Sequence, residues 1–403
     1  NQGYGGNQKI GFEYAIKNKF DIVALLHGDG QYSPEKLPEL VLPIVNEDAD
    51  AVFGSRMMMG MDALKGGMPL YKFIGNRILS KFQNWVLGTK LTEFHSGYRV
   101  YSVEALKKIP FNLNTNVFHF DTEIIIQLIL SNQRIKELPI PTYYGDQICD
   151  VDGLVYAKDV FKATAVLPLS RTGIFYQRKY DLTPYDNRYI SKLGIDSSHQ
   201  RAVNRVATNK KVLDIGCGTG AIAQYLRLNA CDVVGIDGLN PDLVNGPNKY
   251  YKISLDDAPL PVDARMFDVI LLLDIIEHLK KPEAFIDALS SELGNNPQAE
   301  VIATTGNVAF GPLRIMLMLG MFNYGKRGIL DQDHTRLFTF NSFRKLFEQR
   351  GFDVLELSGI PAPFPLAINT NWISKSLTML NKLGIAVWRK FFSYQIFIRL
   401  KPR

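Results

Sequence analysis

A chain of 403 residues, 46% hydrophobic and 21% charged, has the composition of an ordinary globular protein and the length for two domains or more. Its net charge of +6 and pI near 8.9 suit anionic substrates or an anionic surface and are too weak to argue for nucleic acid. The three cysteines, Cys149, Cys217 and Cys231, form neither a disulfide framework nor a metal-ligand spacing, which points to a reducing, cytoplasmic setting; no signal-peptide pattern is read in these residues, and apolar runs such as 315–322 fall far short of a membrane span.

In chain order, the first segment alternates helix and strand signals. Residues 8–18 have the apolar spacing of a helix, and Ile22 to Leu26 read as a short buried strand ending at His27-Gly28-Asp29-Gly30-Gln31. A helix starts near Ser33-Pro34-Glu35, with a serine cap and a proline in the first turn. Strands follow at 49–53 and 97–101, helices at 70–87 and 120–130, and a strand at 135–140. A helix is expected over 156–167, and 171–198 is rich in tyrosine and charge. The α/β alternation resumes with strands at 211–215, 233–237, 267–273, 300–304, 352–357 and 394–400, and a helix at 341–350. No internal repeat or low-complexity tract interrupts either half.

In the first half, Asp29 stands at a strand end between two glycines, a position from which a carboxylate can hold a divalent cation against a diphosphate. A strand-to-helix turn using Gly-Asp-Gly for backbone freedom is the bland alternative. Together, Asn1-Gln2-Gly3-Tyr4-Gly5-Gly6-Asn7, Gly28 to Glu35, Gly54-Ser55-Arg56, Ser96-Gly97-Tyr98-Arg99 and Phe120-Asp121-Thr122-Glu123 resemble the later part of a family 2 glycosyltransferase of the GT-A fold. Within that family the nearest likeness is to polyprenyl-phosphate sugar synthases. The resemblance implies a nucleotide-sugar donor and a Mg or Mn ion; Asp29 is the candidate ligand, His27 reads as a second ligand or as a packing residue, and Asp121 or Glu123 reads as a base on the acceptor or as an acid of the helix N-terminus. Arg56 and Arg99 are the candidate phosphate partners, a guanidinium being suited to bidentate contact; a surface ion pair is the other reading. Asp121 and Glu123 point to different faces of a helix, so only one is expected to face the site. Two departures stand out. His27 replaces the first acid of the family's Asp-x-Asp, and an imidazole suits Mg less well than a carboxylate. Only one strand precedes Asp29, and Asn1-Gln2-Gly3-Tyr4-Gly5-Gly6 reads as the middle of a domain. The chain is therefore expected to lack the family's first strands and to bind a nucleotide sugar weakly or not at all.

The second half turns on Lys211 to Gly220, in which Asp214 precedes three alternating glycines, Gly216, Gly218 and Gly220, and Asp237 closes the next strand. This satisfies a dinucleotide fingerprint formally. Asp214, able to receive an ammonium, and the alternating glycines favour S-adenosylmethionine instead. With Asp256-Asp257-Ala258-Pro259-Leu260-Pro261, the run to Asp274 and Glu277-His278-Leu279, this half resembles class I S-adenosylmethionine-dependent methyltransferases. The resemblance implies cofactor contacts from Asp214, Gly216, Gly218, Gly220, Asp237, Asp256 or Asp257, and Asp274. Asp333 and His334 side by side are a candidate base for an acceptor hydroxyl, with His278 as rival; a purely structural tie of that loop to the sheet is the alternative. Residues 310–322, rich in methionine, read as a substrate lid, a lipid-facing surface or a packed helix. The amphipathic, lysine- and arginine-bearing 372–392 reads as an interfacial helix or a core-facing one.

The expected architecture is α/β: a partial GT-A nucleotide-diphospho-sugar transferase domain over 1–165, then a Rossmann-like seven-stranded class I methyltransferase domain over 166–403 with a lid insertion at 308–335. The expected function is bifunctional: glycosyl transfer from a nucleotide sugar and methylation, at oxygen, of a glycan or polyprenyl-linked glycan, at the inner face of the membrane. The rivals are a methyltransferase whose first domain is a non-catalytic platform, and a nicotinamide-dependent sugar oxidoreductase.

Overall fold

The computed structural model describes residues 2–145, 152–171, 173–182, 191–256, 259–294, 296–368 and 370–403. The chain divides into two compact units, Asn1–Ser170 with Gln177–Pro184, and Arg171–Tyr176 with Tyr185–Arg403. No helix among the described residues is long and apolar enough to cross a membrane.

The first unit holds a four-stranded sheet of β1 (Ile22–Leu25), β2 (Ala51–Ser55), β3 (Arg99–Ser102) and β4 (Ile135–Pro139) in the order β1-β3-β2-β4. Its β3 runs antiparallel to both β1 and β2, and β2 pairs parallel with β4. Every residue of β2 is buried, so that strand lacks the polar alternation of a half-exposed one. The helix Leu70–Leu87 forms over the expected span and ends at Gly88, whose φ of 72° is the left-handed cap that glycine adopts without strain. The helix Phe120–Leu130 is buried along residues 120–128, which carries its acids Asp121 and Glu123 into the interior. A longer helix than expected, Gly3–Lys17, opens the unit; its glycines 5 and 6 allow the backbone to approach Asn116 and Thr115.

The second unit is built on seven strands: β5 (Lys211–Ile215), β6 (Asp232–Asp237), β7 (Lys249–Lys252), β8 (Val269–Leu273), β9 (Glu300–Gly306), β10 (Phe352–Ile360) and β11 (Gln395–Pro402), in the order β10-β11-β9-β8-β5-β6-β7. The five from β7 to β9 are parallel, and β11 lies antiparallel between β9 and β10. Alternate residues of the central strands bury into two separate cores. Leu213, Ile270, Leu272, Val301 and Ala303 pack with the helices Pro282–Leu293 and Phe340–Glu348. Val212, Val269, Leu271 and Ile302 pack with the helices Ser198–Val203 and Ala221–Leu228. Period-two side chains thus produce a sheet covered on both faces, a Rossmann-like layer fold. The strand β7, Lys-Tyr-Tyr-Lys, had no counterpart in the sequence reading: it is an edge strand with no buried residue, so it lacks the apolar run that marks its neighbours.

Candidate active sites

The carboxyl ends of β5, β6 and β8 meet at the glycine loop. Gly216, Gly218 and Gly220 have φ of 79°, 54° and 88°. A Cβ on Gly216 would lie 2.8 Å from the Ile275 side chain, and one on Gly220 would lie 2.7 Å from the Asn245 carbonyl. Both positions therefore demand glycine for conformation and for space. The loop is pinned to β6, since the amides of Gly216 and Cys217 donate to the Ile236 carbonyl (2.7 and 3.2 Å). The Gly218 amide donates to Asp237 Oδ2 (2.8 Å) and the Leu239 amide to Asp237 Oδ1 (3.1 Å), which orients that carboxylate at the strand end.

Asp214 is buried, and its Oδ2 has no hydrogen-bond partner. Burial, with the charge of Asp237 nearby, pushes its pKa up to about 7. A buried carboxylate oxygen without a donor is costly and is what a cationic ligand group relieves. Glu277 has the same character: buried, Oε2 unpartnered, its pKa raised to about 7 by burial and by the charge of Asp274. These features fit S-adenosylmethionine: Asp214 for the ammonium, Asp237 for the ribose, and the glycine loop for close approach. Asp256 is exposed and its Oδ1 accepts from the Lys280 amide (2.8 Å), which places it beside the segment after β8. Asp257 lies outside the described residues.

Asp274, expected among the cofactor ligands, is engaged by the protein itself. Its φ is 54°, a left-handed conformation rare outside glycine. Its Oδ2 accepts from Lys192 Nζ and Ser198 Oγ (both 3.0 Å), and its Oδ1 from Thr304 Oγ1 (2.7 Å) and Gln395 Nε2 (2.9 Å). Burial opposes its charge, but Lys192, His199 and the Thr304 hydroxyl outweigh that and hold the carboxyl well below the usual range. The protein itself satisfies both oxygens, so Asp274 is a hub joining β8, β9, β11 and the segment at 192–198. Lys192, Ser198 and Gln395 had no motif to mark them.

His278 and His334 come together, their rings edge to face with centroids 4.6 Å apart. His334 Nδ1 lies 2.9 Å from the Ile329 carbonyl, and His278 Nδ1 lies 3.2 Å from the Asp333 carbonyl. A carbonyl only accepts, so both rings carry the proton on Nδ1 and leave the basic lone pair on Nε2. The loop is held by the Glu277 carbonyl, which accepts from the amides of Thr335 (2.8 Å) and Arg336 (3.1 Å). Asp333 supports His278 through its backbone.

In the first unit, His27 and Asp121 converge on Tyr4. The Tyr4 hydroxyl donates to Asp121 Oδ2 (2.8 Å) and lies 3.0 Å from His27 Nε2, which must then donate to it. Gln8 Nε2 also donates to Asp121, at Oδ1 (3.1 Å). The His27 ring sits where a Cβ on residue 97 would be, 2.2 Å from its Cε1, so Gly97 is required for this placement. Burial lowers the His27 pKa and keeps the ring neutral. Asp29 is on the exposed loop beyond, its Oδ1 accepting from the Gln31 amide (2.9 Å). Among the described residues no group of three His, Cys, Asp or Glu side chains is gathered for a metal ion. His27 commits its Nε2 to the Tyr4 hydroxyl, so His27 and Asp29 do not form a ready pair of ligands for Mg or Mn.

The two arginines expected to grip phosphate face inward. Arg99 is 1% exposed. It donates to the carbonyls of Ser96 (2.8 Å), Phe94 (2.8 Å) and Asp121 (3.2 Å), and its Nη1 lies 3.4 Å from Asp121 Oδ1. Arg56 is buried against Glu93, donating from Nε (2.8 Å) and from Nη2, while its Nη1 donates to Tyr144 (2.7 Å). Neither guanidinium is presented to a ligand; both serve as internal cross-links. Glu123 is buried in a third cluster with Lys179 and the Thr115 amide, apart from the Tyr4 group. Of the two acids on this helix, Asp121 alone joins His27.

Residues 1–110 match the model of glycosyl transferase family 2, and residues 187–357 match that of a methyltransferase domain. The chain is 31% identical over 146 residues to the UDP-N-acetylglucosamine–dolichyl-phosphate N-acetylglucosaminyltransferase of Methanococcus voltae, covering 36% of this chain and 57% of that one. It is 33% identical over 144 residues to a low-salt glycan biosynthesis hexosyltransferase of Haloferax volcanii (36% of this chain, 33% of that one). It is 26% identical over 162 residues to a ubiquinone biosynthesis O-methyltransferase of Psychrobacter arcticus (34% of this chain, 63% of that one). The chain thus spans less than two thirds of the length of each of these relatives.

Proposed function

We propose that this chain, in which a family 2 glycosyltransferase region is followed by a methyltransferase domain, methylates a glycan hydroxyl from S-adenosylmethionine and belongs to the assembly of a surface polysaccharide or glycolipid. The carrying observation is Asp214: a buried carboxylate oxygen without a partner beside a glycine loop at the end of the first parallel strand of the second unit. When bound, S-adenosylmethionine supplies an electrophilic methyl group. The chain's own residues then bind and orient it through Asp214, Asp237, Asp256 and the loop glycines. His334 or His278 removes the acceptor hydroxyl proton at Nε2, an effect worth roughly 10²- to 10⁴-fold in rate. The segment 308–335, which carries Ile329 and His334, acts in this reading as the substrate lid.

The first unit in this proposal binds the sugar-bearing substrate, with a nucleotide sugar as donor, and Asp121, tied to Tyr4, Gln8 and Arg99, positions the Tyr4 and His27 side chains there. The acceptor class is a polyprenyl-linked glycan, in keeping with the dolichyl-phosphate enzyme among the relatives. A second reading, a non-catalytic glycan-binding platform, is favoured by the inward-facing Arg56 and Arg99 and by the absence, among the described residues, of a three-ligand metal cluster.

The test is mass spectrometry of candidate glycans incubated with isotope-labelled S-adenosylmethionine, alongside calorimetry with S-adenosylhomocysteine and with NAD. A labelled methyl ether on the glycan and tight binding of S-adenosylhomocysteine alone are expected. Binding of NAD in its place would make the second unit an oxidoreductase and end the proposal.

A further inference from the structure

The helix Trp372–Phe392, which kinks at Trp388 (φ −146°, ψ 78°), is amphipathic in an unusual sense: the apolar side faces out. Trp372 (76% exposed), Met379 (65%), Leu383 (56%) and Val387 (86%) recur along one stripe. An outward apolar stripe on a helix of this length needs a covering partner or an apolar medium. The stripe's charge is one-sided. Lys375, Lys382, Arg389 and Lys390 lie on the helix, which contains no aspartate or glutamate. Lys382 is answered by Asp196 (2.7 Å), while Lys375 and Lys390 have no ion pair among the described residues.

Two neighbouring features extend the same surface. The helix Gly311–Met318 packs against the end of this one: a Cβ on Gly311 would lie 2.4 Å from the Phe391 ring, and the Arg314 guanidinium stands 5.8 Å over Trp388. It is anchored by buried Leu313 and Met316 and leaves Leu317, Met318 and Leu319 exposed by 60%, 86% and 65%. Between the long helix and β10 runs a groove lined by Arg201, Lys382 and Arg389 together with Ile385 and Ala386, and the chain itself engages these cations: Asp196 pairs with Arg201 and Lys382 (both 2.7 Å), and Arg389 donates to the Leu357 carbonyl (2.7 Å). Exposed apolar side chains on the same helix as the exposed Lys375 and Lys390 match the two layers of an anionic bilayer surface, acyl chains and phosphate headgroups.

We infer that the second unit docks on an anionic phospholipid bilayer through the outward face of the helix 372–392 and the end of the helix 311–318, with headgroup phosphates met by the exposed Lys375 and Lys390. The helix lies in the plane of the interface; it does not span. This surface is independent of the methyl-transfer reading, since it is measured without turnover.

The test is flotation of the full chain with mixed phosphatidylglycerol–phosphatidylcholine vesicles and with phosphatidylcholine vesicles alone. Binding to the anionic vesicles, weaker by at least ~10-fold on neutral ones and lost at high salt, is expected. Leu383→Glu with Val387→Glu, and separately Lys375→Glu with Lys390→Glu, should each lower binding by at least ~10-fold. All four residues are exposed, so melting curves should match the parent chain. Absence of binding to anionic vesicles, equal binding to neutral ones, or variants that bind like the parent would overturn the inference. So would a concentration-dependent dimer, seen without lipid and abolished by Leu383→Glu with Val387→Glu, because a second copy would then cover the face.

Discussion

His278 and His334 meet edge to face, 4.6 Å between ring centroids, and each ties its Nδ1 to a backbone carbonyl. The arrangement sets the tautomer of both rings and presents two Nε2 lone pairs from different segments of the chain. In the proposed function one of them acts as the base, and substitution separates the two. His334→Ala is expected to lower kcat by ~10²-fold or more while leaving S-adenosylhomocysteine affinity nearly unchanged; His278→Ala is expected to cost less. Steady-state kinetics with calorimetry reads this. An equal loss of turnover and affinity in His334→Ala would show a structural tie instead of a base.

If Asp214 receives the cofactor's ammonium as proposed, cofactor affinity should depend on pH. Its pKa is raised from 3.8 to about 7, so below about pH 7 the ligand-free carboxyl is neutral. A cationic ligand group then has to displace a proton, and S-adenosylhomocysteine affinity should fall up to ~10-fold per pH unit below that point. Asp214→Asn should cut affinity by roughly 10- to 100-fold at neutral pH, the worth of a charged hydrogen bond, and flatten the pH dependence. Calorimetry across the range about pH 6 to 8 decides; a pH-independent parent chain would count against the assignment.

The same shift has an opposite consequence for the empty protein. A raised carboxyl contributes stability that is fully present below the unfolded pKa near 3.8 and is lost as pH rises through about 7. Glu277, also raised to about 7, acts in the same sense. Ligand-free Asp214→Asn should therefore melt at or above the parent temperature at about pH 8. Saturating S-adenosylhomocysteine should reverse that order, a crossover that differential scanning fluorimetry would show.

Arg99 and Arg56 are stability residues. Each sits in a buried ion pair, with Asp121 and Glu93 respectively. Removing one partner strands the other charge in the interior, a loss of ~3–5 kcal/mol. Arg99→Met and Arg56→Met are expected to destabilise the first unit by that order in denaturant titration, with no effect on S-adenosylhomocysteine binding. Melting like the parent, with weakened nucleotide-sugar binding, would restore the phosphate-gripping role.

Asp274 separates architecture from ligand contact. Asp274→Asn loses the charge that faces Lys192 and leaves a donor opposite one of the remaining donors Ser198, Thr304 and Gln395. A drop of ~2–4 kcal/mol in stability is expected, with S-adenosylhomocysteine affinity changed by less than ~3-fold once the variant is folded. A large affinity loss with unchanged melting would return Asp274 to the cofactor's ligands.

Much of this molecule is decided by local pattern. The helices 70–87, 120–130 and 372–392 and the strand 211–215 form over the spans that their apolar periodicity implies, because backbone hydrogen bonding and side-chain period act within a few residues. Gly216 and Gly220 are marked locally as a glycine loop, while the contacts that forbid a Cβ there, Ile275 and Asn245, come from elsewhere in the chain. The partners of charged groups are another matter. Arg99 reads as a phosphate ligand until the fold brings Asp121 to it across 22 residues, and Gln395 reaches Asp274 across 121. Burial and long-range pairing, which set charge state and accessibility, are properties of the packed chain. The sequence by itself therefore determined the two kinds of domain and the glycine-loop site. Only the tertiary structure decided which acids stay unpaired for a ligand, which arginines are internal, and which apolar helix face is left outside.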